Sequence, residues 1–341
     1  MKRSFLLLLF AFIALYTKVT YDLWREEAHP ENGLLSDVAE QVTVIPLQPD
    51  ARYPIGKPRN IRKDGDNLFL VGSDNALYRF NISGRLLNRV TKPEVIRVAE
   101  YIIDPLRKQL IVLGNADDIH YYMYDGKPTD KKKPEPGNSC RHIRAAAMHQ
   151  GYIWTVEERI CRHDNPVAEH HLVKYDASFH EMESHRLTAA ALPGKPFIPF
   201  FGNMTIAVKE DTGIMYVCSA PLQPGYLLRD SLLLSHRPAM SEIFSSKNDT
   251  PVLPLHMGKR FWFASSNDPT QNYVFCFDQV KQRSWQMQNG FKDDYYHTGF
   301  ITEWQPLDMY GHTYCFSKPG ESTGKLSRSG APVVFIVKLK A

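Results

Sequence analysis

Three Ile-Arg pairs are the residues whose type and spacing point most directly to chemistry. They are Ile61-Arg62, Ile96-Arg97 and Ile143-Arg144. Guanidinium groups bind carboxylates and phosphates through paired hydrogen bonds, so arginines at equivalent positions of a repeated structure would form an anion site. His256 and His297 occur at loosely similar places further along the chain. The pattern predicts a ligand site made of the three arginines and both histidines. The alternative is that each arginine pairs with an acidic or carbonyl group of the neighbouring unit.

Carboxylates could instead hold a divalent cation for hydrolysis. The candidates are Glu100, Asp104, Asp117, Asp118, Glu157 and Glu158. They share no common register from one strand unit to the next, so we interpret them as solvated surface charge. A metal-dependent, lactonase-like or esterase-like hydrolase is the alternative function.

Several histidines lie close together in the sequence, and neutral imidazoles are ligands for zinc and copper. They are His142, His149, His163, His170 and His171. His170 and His171 are consecutive on a predicted strand and therefore face opposite sides, which argues against one shared ion. We expect neither a metal site nor a cofactor. The sequence also has no phosphate loop, nucleophile elbow or dinucleotide fingerprint, which argues against the major nucleotide-dependent classes.

The chain has five cysteines, and two of them could form a disulfide. If Gln150-Gly151 is a hairpin turn, Met148 pairs with Ile153 and the same register places Cys140 directly opposite Cys161. The alternative is two free thiols, because one bulge would break this register. The others, Cys218, Cys276 and Cys315, are interpreted as buried strand residues.

A strand that ends in an aromatic residue plus Asp or Asn, followed by a turn, recurs along the chain. Its aromatic anchors are Phe80, Tyr124, Tyr175 and Phe277. Further short strands are predicted at 67–71, 109–113, 152–156, 214–218, 261–264 and 312–316. Repeats of about 40 to 50 residues with four short strands each are typical of propeller blades, so the pattern predicts an all-β, six-bladed β-propeller with antiparallel blades.

The two ends of the chain are predicted to share a blade. Residues 42–47 form a lone strand before the first full unit, and 333–339 form a strand after the last one. Pairing them would remove the open edge of a radial array. A ring completed within one chain predicts a monomer. The stretch 219–251 lacks a clear aromatic-Asp strand, so the fourth blade is the least regular one.

Composition supports a folded, strand-rich protein. Of 341 residues, 43% are hydrophobic and 12% aromatic, which is enough apolar material for a large core. Lys and Arg number 41 against 37 Asp and Glu, and this balance does not suggest nucleic-acid binding.

The amino terminus predicts export. Lys2 and Arg3 precede an apolar run over 5–16, which fits a secretory signal but is short for a membrane span. No small-residue cleavage site follows, so an uncleaved anchor in the inner membrane is the alternative to a cleaved signal peptide. We divide the chain into a signal or anchor at 1–18, a polar spacer at 19–41 and the propeller at 42–341.

These features resemble the six-bladed propeller proteins of Bacteroidetes cell envelopes, within the wider group of NHL-like and TolB-like propellers. The matching parts are Val44-Ile45-Pro46-Leu47, the repeated Tyr-Asp turns, the segment 291–300 and the ending 332–340. The resemblance covers about residues 42–341 and implies no established activity. This chain departs from many such proteins because it has no cysteine where lipidation would require one. We expect an extracytoplasmic binding protein whose channel mouth takes a small anionic ligand, a glycan or an envelope protein.

Overall fold

The computed structural model describes residues 33–53, 55–114, 118–132, 140–161, 167–191, 205–209, 214–218, 225–229, 232–236, 252–257, 260–266, 273–307, 312–327 and 330–341. Between 205 and 257 this description covers the backbone of the strands. The predicted signal, with its apolar run, lies outside the described residues. No helix within those ranges has the length and apolar character that crossing a membrane requires.

The chain enters through a short helix, α1 (Leu35–Val38), and a strand, β1 (Ala39–Pro46). Leu35 and Val38 are fully buried, so this part of the predicted spacer packs into the core. Strand β1 begins three residues earlier than the predicted strand at 42.

Five blades follow, and each is an antiparallel sheet of four strands that are consecutive in the chain. Blade 1 contains β2 (Arg59–Asp64), β3 (Asn67–Val71), β4 (Leu77–Asn81) and β5 (Leu86–Arg89). Blade 2 contains β6 (Val98–Asp104), β7 (Gln109–Gly114), β8 (Ile119–Met123) and β9 (Pro128–Lys132). Blade 3 contains β10 (Cys140–His149), β11 (Tyr152–Cys161), β12 (Val167–Tyr175) and β13 (Glu181–Ala191). Blade 4 contains β14 (Thr205–Lys209), β15 (Ile214–Cys218), β16 (Gly225–Arg229) and β17 (Leu232–His236). Blade 5 contains β18 (Val252–Met257), β19 (Phe261–Ser266), β20 (Tyr273–Asp278) and β21 (Arg283–Gln288). The fold is therefore a β-propeller, as the repeat predicted.

The two ends of the chain build a composite sheet, here called the terminal sheet. Its strands are β24 (Gln305–Pro306), β25 (Thr313–Lys318), β26 (Val333–Leu339) and β1. A small hairpin, β22 (Phe291–Lys292) and β23 (Phe300–Ile301), precedes it, and a short 3-10 segment (Gly320–Leu326) lies between β25 and β26. Val44 lies opposite Phe335, which confirms the predicted pairing of the terminal strands.

The described residues thus give five blades rather than the predicted six. The physical reason lies in the sixth predicted unit, around 312–316. There β24 has only two residues, and the strand on the far side of β26 is supplied by β1 from the other end of the chain. This unit cannot form a four-stranded sheet from consecutive strands.

Blade 1 buries both of its faces, and β3 shows how. Four of its five residues are buried in succession, which is unusual for a strand with one wet face. Leu68 and Leu70 belong to a cluster shared with the terminal sheet, whereas Phe69 and Val71 belong to a cluster shared with blade 2. Alternate residues therefore hold adjacent sheets together.

The aromatic-Asp repeat is a core anchor joined to a turn. Tyr175 is buried, and the next residue, Asp176, accepts hydrogen bonds through Oδ1 from the backbone N–H groups of Ser178 and His180. Asn81, Asp125 and Asp278 accept backbone bonds two residues ahead in the same way. The carboxylate or amide fixes the turn that returns the chain to the outer strand.

The hairpin of blade 3 corrects the predicted cysteine register. Met148 pairs with Ile153 as predicted, but a bulge between Ile143 and Ala145 shifts the ladder by one residue. Cys140 consequently lies opposite Ile160 and not opposite Cys161. The expected direct cross-strand pair is wrong, and a disulfide between these two cysteines stays a prediction. Cys276 and Cys315 are buried free thiols, as expected.

Candidate functional site

Arg62 lies on β2, the strand of blade 1 that contacts the first strand of blade 2. Its Nη2 donates to Glu100 Oε1 at 3.1 Å and to the carbonyl oxygen of Ala146 at 3.3 Å. Its guanidinium also stands 5.4 Å from the ring centroid of Tyr101. Arg62 therefore links the inner strands of three blades, which is the structural alternative to a ligand contact.

Arg97 and Arg144 do not occupy positions equivalent to Arg62. When the first strands are aligned at their hairpin ends, Arg62 corresponds to Ile102 in β6 and Ala147 in β10. Arg97 is exposed and precedes β6 after a turn at 93–95, and Arg144 is the bulged residue of β10. The predicted equivalence of the three Ile-Arg pairs is wrong, whereas their individual ligand contacts stay a prediction.

The two predicted histidines lie in different parts of the fold. His256 is on β18 opposite Phe263 and next to a register shift at 254–256. His297 is exposed in the loop between β22 and β23, with a left-handed backbone at φ 58°. Their role in a ligand site stays a prediction.

A cavity of about 1090 Å³ opens between the outer strands of blades 1 and 2. We call it the blade 1–2 cleft. Its walls come from β5, β8, the turn at 125–129 and the connection between β1 and β2. Its lining includes Asp50, Arg52, Tyr53, Arg89, Lys92, His120, Tyr122, Asp125 and Lys127. The volume is at the upper end of ordinary ligand pockets, which run to about 1,000 Å³.

Tyr53 is the aromatic centre of one wall. The guanidinium of Arg89 lies 5.0 Å from its ring centroid, and that of Arg52 lies 5.5 Å away. Both distances are within cation–π range. The Tyr53 ring also contacts Tyr78 at 5.8 Å, which fixes it against the core of blade 1.

His120 and Tyr122 form the facing wall on β8. Their rings are nearly parallel, with an interplanar angle of 6° and centroids 6.2 Å apart. His120 Nε2 lies 2.8 Å from Asp118 Oδ2, which orients the imidazole. Burial, followed by the nearby Asp118 carboxylate, raises the pKa of the Tyr122 phenol, so this hydroxyl is a neutral donor at physiological pH.

The charges of the cleft are mostly cationic. Side-chain and backbone hydrogen bonds from Arg52 lower the pKa of Asp50 to about 2, so Asp50 is ionised and pairs with Arg52. Lys127 pairs with Asp125 at 3.0 Å. Within the part of the chain that the structure describes, Arg89 and Lys92 form no ion pair with a carboxylate. The cleft therefore offers two cations for an anionic ligand.

Close contact between blades shapes the floor of the cleft. Gly126 has φ +86°, and a Cβ there would lie 3.0 Å from the carbonyl oxygen of Arg89. Asn88 Nδ2 donates to the carbonyl oxygen of Tyr124 across the same seam at 3.1 Å. Glycine thus lets the blade 2 turn pack on the strand that carries Arg89.

Sequence reasoning missed the cleft because its parts lie in separate segments of the chain. Tyr122 belongs to one of the recurring strands that end in an aromatic residue plus Asp, and this pattern gives it no functional signal of its own. One signal was available, since the 48–58 connection is long for a link between strands and carries Arg52 and Tyr53.

Among the side chains that the structure describes, no three His, Cys, Asp or Glu groups converge in a way that could hold an ion. The carboxylates were expected to be solvated surface charge, and this is wrong for Asp104, Glu157 and Glu158, which are buried. Glu100 pairs with Arg62, Asp104 with Arg107 and Glu157 with Arg159.

Comparisons with known proteins show the fold. No protein-family model and no curated protein matches the chain. Among solved structures, a Bacteroides fragilis protein whose name describes it as exported is similar at a TM-score of 0.61 and 12% identity, covering 92% of this chain and 98% of that one. A luciferin-regenerating enzyme has a TM-score of 0.49 and 13% identity, covering 88% and 97%. A virginiamycin B lyase from Staphylococcus aureus has a TM-score of 0.48 and 9% identity, covering 87% and 99%. The likeness to the Bacteroides fragilis protein shows a shared fold alone, and the expected envelope family stays a prediction.

Proposed function

We propose that the chain is an extracytoplasmic binding protein whose blade 1–2 cleft takes an acidic oligosaccharide. The observation that carries this proposal is the combination of Tyr53, Tyr122 and His120 with the two uncompensated cations Arg89 and Lys92 in one cavity. Aromatic rings provide an apolar platform with a polar edge, which suits the face of a sugar ring. Cations beside them suit its carboxylate or sulfate groups.

The proposal has two further parts, namely that the protein is exported and that the terminal sheet closes the ring of blades. The charged start and apolar run at 1–18 are the support for a position outside the cytoplasm. The terminal sheet would act as a sixth blade. In support, β24 contacts β18 of blade 5, and Cys315 and Val334 share a cluster with blade 1.

The cleft replaces the channel mouth as the proposed site. On the inner strands, Arg62 already donates to Glu100 and Ala146, so an anion there would have to displace protein partners. Among the described side chains, no specific contact favours the alternative of a metal-dependent hydrolase in the channel.

The test is titration calorimetry of the full chain with trigalacturonate, an acidic trisaccharide, against neutral maltotriose. We expect binding of the acidic sugar, with weaker binding at higher salt because exposed charges are screened beyond about 8 Å at 0.15 M. Arg89→Ala should weaken it by at least about tenfold, which corresponds to about 1.4 kcal/mol.

Arg79→Ala is the matched control. Arg79 stands 5.7 Å from the ring centroid of Tyr124, much as Arg89 stands over Tyr53, but it lies outside the cleft. Equal weakening by both substitutions, or a protein that binds neither sugar, would rule out the cleft as an acidic-sugar site.

A further inference from the structure

One wall of the blade 1–2 cleft carries an imidazole that a carboxylate orients. His120 Nε2 lies 2.8 Å from Asp118 Oδ2, and the His120 side chain lines the cleft although only 6% of it is exposed. An ionised carboxylate can only accept, so Nε2 carries the hydrogen of this bond. The lone pair is then on Nδ1, which has no hydrogen-bond partner within the described part of the chain. In its neutral form, an imidazole oriented in this way is a general base.

Tyr122 supplies a hydroxyl on the same wall. It lies two residues after His120 on β8, so both side chains project from one face of the strand. Their rings are nearly parallel, with centroids 6.2 Å apart. Burial, followed by the Asp118 carboxylate, raises the pKa of the Tyr122 phenol and keeps its proton in place for donation. A base and a proton donor therefore stand side by side on this wall.

The rest of the lining limits what this base can act on. Among the described residues, no serine or cysteine lines the cleft, and the hydroxyl of Thr129 accepts from Gln109 Nε2 at 2.8 Å. The proton that His120 takes must then come from the bound molecule or from water. Arg89 and Lys92 favour the bound molecule, because cations beside a carboxylate stabilise the negative charge that forms on the carbon next to it.

We propose that the cleft cleaves acidic oligosaccharides by elimination at 4-linked glucuronate. This inference rests on the proposed function, because it needs the sugar carboxylate to lie beside Arg89 and Lys92. His120 takes the proton from C5 of the glucuronate. The electrons of that C–H bond form a double bond between C4 and C5 as the bond from C4 to the glycosidic oxygen breaks. That oxygen takes the proton of Tyr122, and exchange with water restores both side chains. No water is added to the sugar, and nothing is oxidised or reduced.

The shared wall predicts which uronate is cleaved. A base and a proton donor on one side of the sugar act on a C5 hydrogen and a C4 oxygen that lie on the same face of the ring. Glucuronate has this arrangement, whereas galacturonate is its C4 epimer and has the C4 oxygen on the opposite face. Both sugars should bind, because both have the carboxylate, but only glucuronate should be cleaved.

The experiment measures cleavage and binding separately, on the full chain purified in detergent. The substrate is a hyaluronan tetrasaccharide, in which the internal glucuronate is linked through C4, and trigalacturonate is the epimeric comparison. Elimination gives a double bond conjugated with the carboxylate, which absorbs ultraviolet light, and two fragments whose masses sum to that of the substrate. Titration calorimetry of the Tyr122→Phe variant measures binding without turnover.

Substitutions on the wall should affect cleavage more than binding. His120→Gln and Tyr122→Phe should each lower kcat by at least about 100-fold, since general acid–base catalysis contributes about 10²–10⁴-fold. Asp118→Asn tests positioning and should lower kcat while leaving KM unchanged. His180→Gln is the matched control, because His180 Nδ1 lies 3.1 Å from Asp176 Oδ2 in an exposed pair outside the cleft, and kcat should not change. Circular dichroism checks that each variant is folded.

The contrary results separate the two proposals. Binding of neither acidic sugar would overturn the proposed function and the elimination with it. Binding of the tetrasaccharide without cleavage, or binding of trigalacturonate alone, would overturn only the elimination. Three further results on cleavage would also overturn it, namely products that gain one water, equal cleavage of both sugars, and a loss of kcat in His180→Gln as large as in His120→Gln.

Discussion

Replacing Tyr175 with phenylalanine should destabilise the protein by removing one donor to a buried carboxylate. The Tyr175 hydroxyl donates to Glu157 Oε1 at 2.5 Å, and Glu157 is 0% exposed. Phenylalanine keeps the ring and its 4.7 Å contact with Phe179, so no cavity is created. Thr155 and Arg159 continue to bond the carboxylate. The loss is that of one hydrogen bond to a charged group, about 1.5–3 kcal/mol.

Urea unfolding followed by tryptophan fluorescence measures this change. The free energy of unfolding should fall by that amount at unchanged m-value, because the surface exposed on unfolding stays the same. Tyr295→Phe is the control, since its hydroxyl donates to the Ala39 carbonyl at 3.2 Å from a side chain at the surface. It should cost less than about 0.5 kcal/mol. If both variants lose the same small free energy of unfolding, the hydrogen bond from Tyr175 to Glu157 does not stabilise blade 3 by the expected amount.

Three further perturbations test other parts of the fold. Burial alone would raise the pKa of Asp278, but bonds from Arg260, Lys281 and Val280 lower it below its usual value. This stabilisation is therefore present above about pH 4 and lost as the pH falls through the folded-state pKa, so the gap in melting temperature between wild type and Asp278→Asn should narrow at acid pH. Gly126→Ala should cost about 1–3 kcal/mol more in thermal unfolding than Gly299→Ala, because both have φ +86° but a Cβ at 299 would meet nothing within 4 Å. Phe335→Ala should cost about 3–5 kcal/mol in urea unfolding, since this buried ring stacks on Phe316 at 4.5 Å, whereas Val280→Ala at the surface should cost less than about 0.5.

Strand positions and the fold class could be predicted because both depend on local patterns. The strand at 67–71 is predicted to the residue, and the aromatic-Asp turns appear because their capping bonds span only two to four residues. The pairing of β1 with β26 was also predictable, since each is an apolar strand with no local partner.

Register and blade composition could not be predicted in the same way. A bulge at Arg144 adds one residue without disturbing the apolar pattern of β10, yet it shifts Cys140 from Cys161 to Ile160. Arg97 fell outside its strand because the turn at 93–95 delays the start of β6. Blade 4 has strands at 225–229 and 232–236 without the aromatic-Asp signature, so pairing with neighbouring strands decides them.

Radial geometry explains why Arg62 is paired at the inner strands, whereas Arg89 on the outer strand of blade 1 has no carboxylate partner among the described residues. First strands of adjacent blades contact each other, so Arg62 reaches Glu100 and the Ala146 carbonyl and forms a protein-only network. Strands twist relative to one another by about 20–25°, and blades in a radial array diverge outward, so the fourth strands leave a wedge between them. Between blades 1 and 2 the 48–53 connection lines this wedge and brings Tyr53 beside Arg89. Under the proposed function, an anionic ligand would therefore bind at the seam between blades 1 and 2 and not at the axis of the propeller.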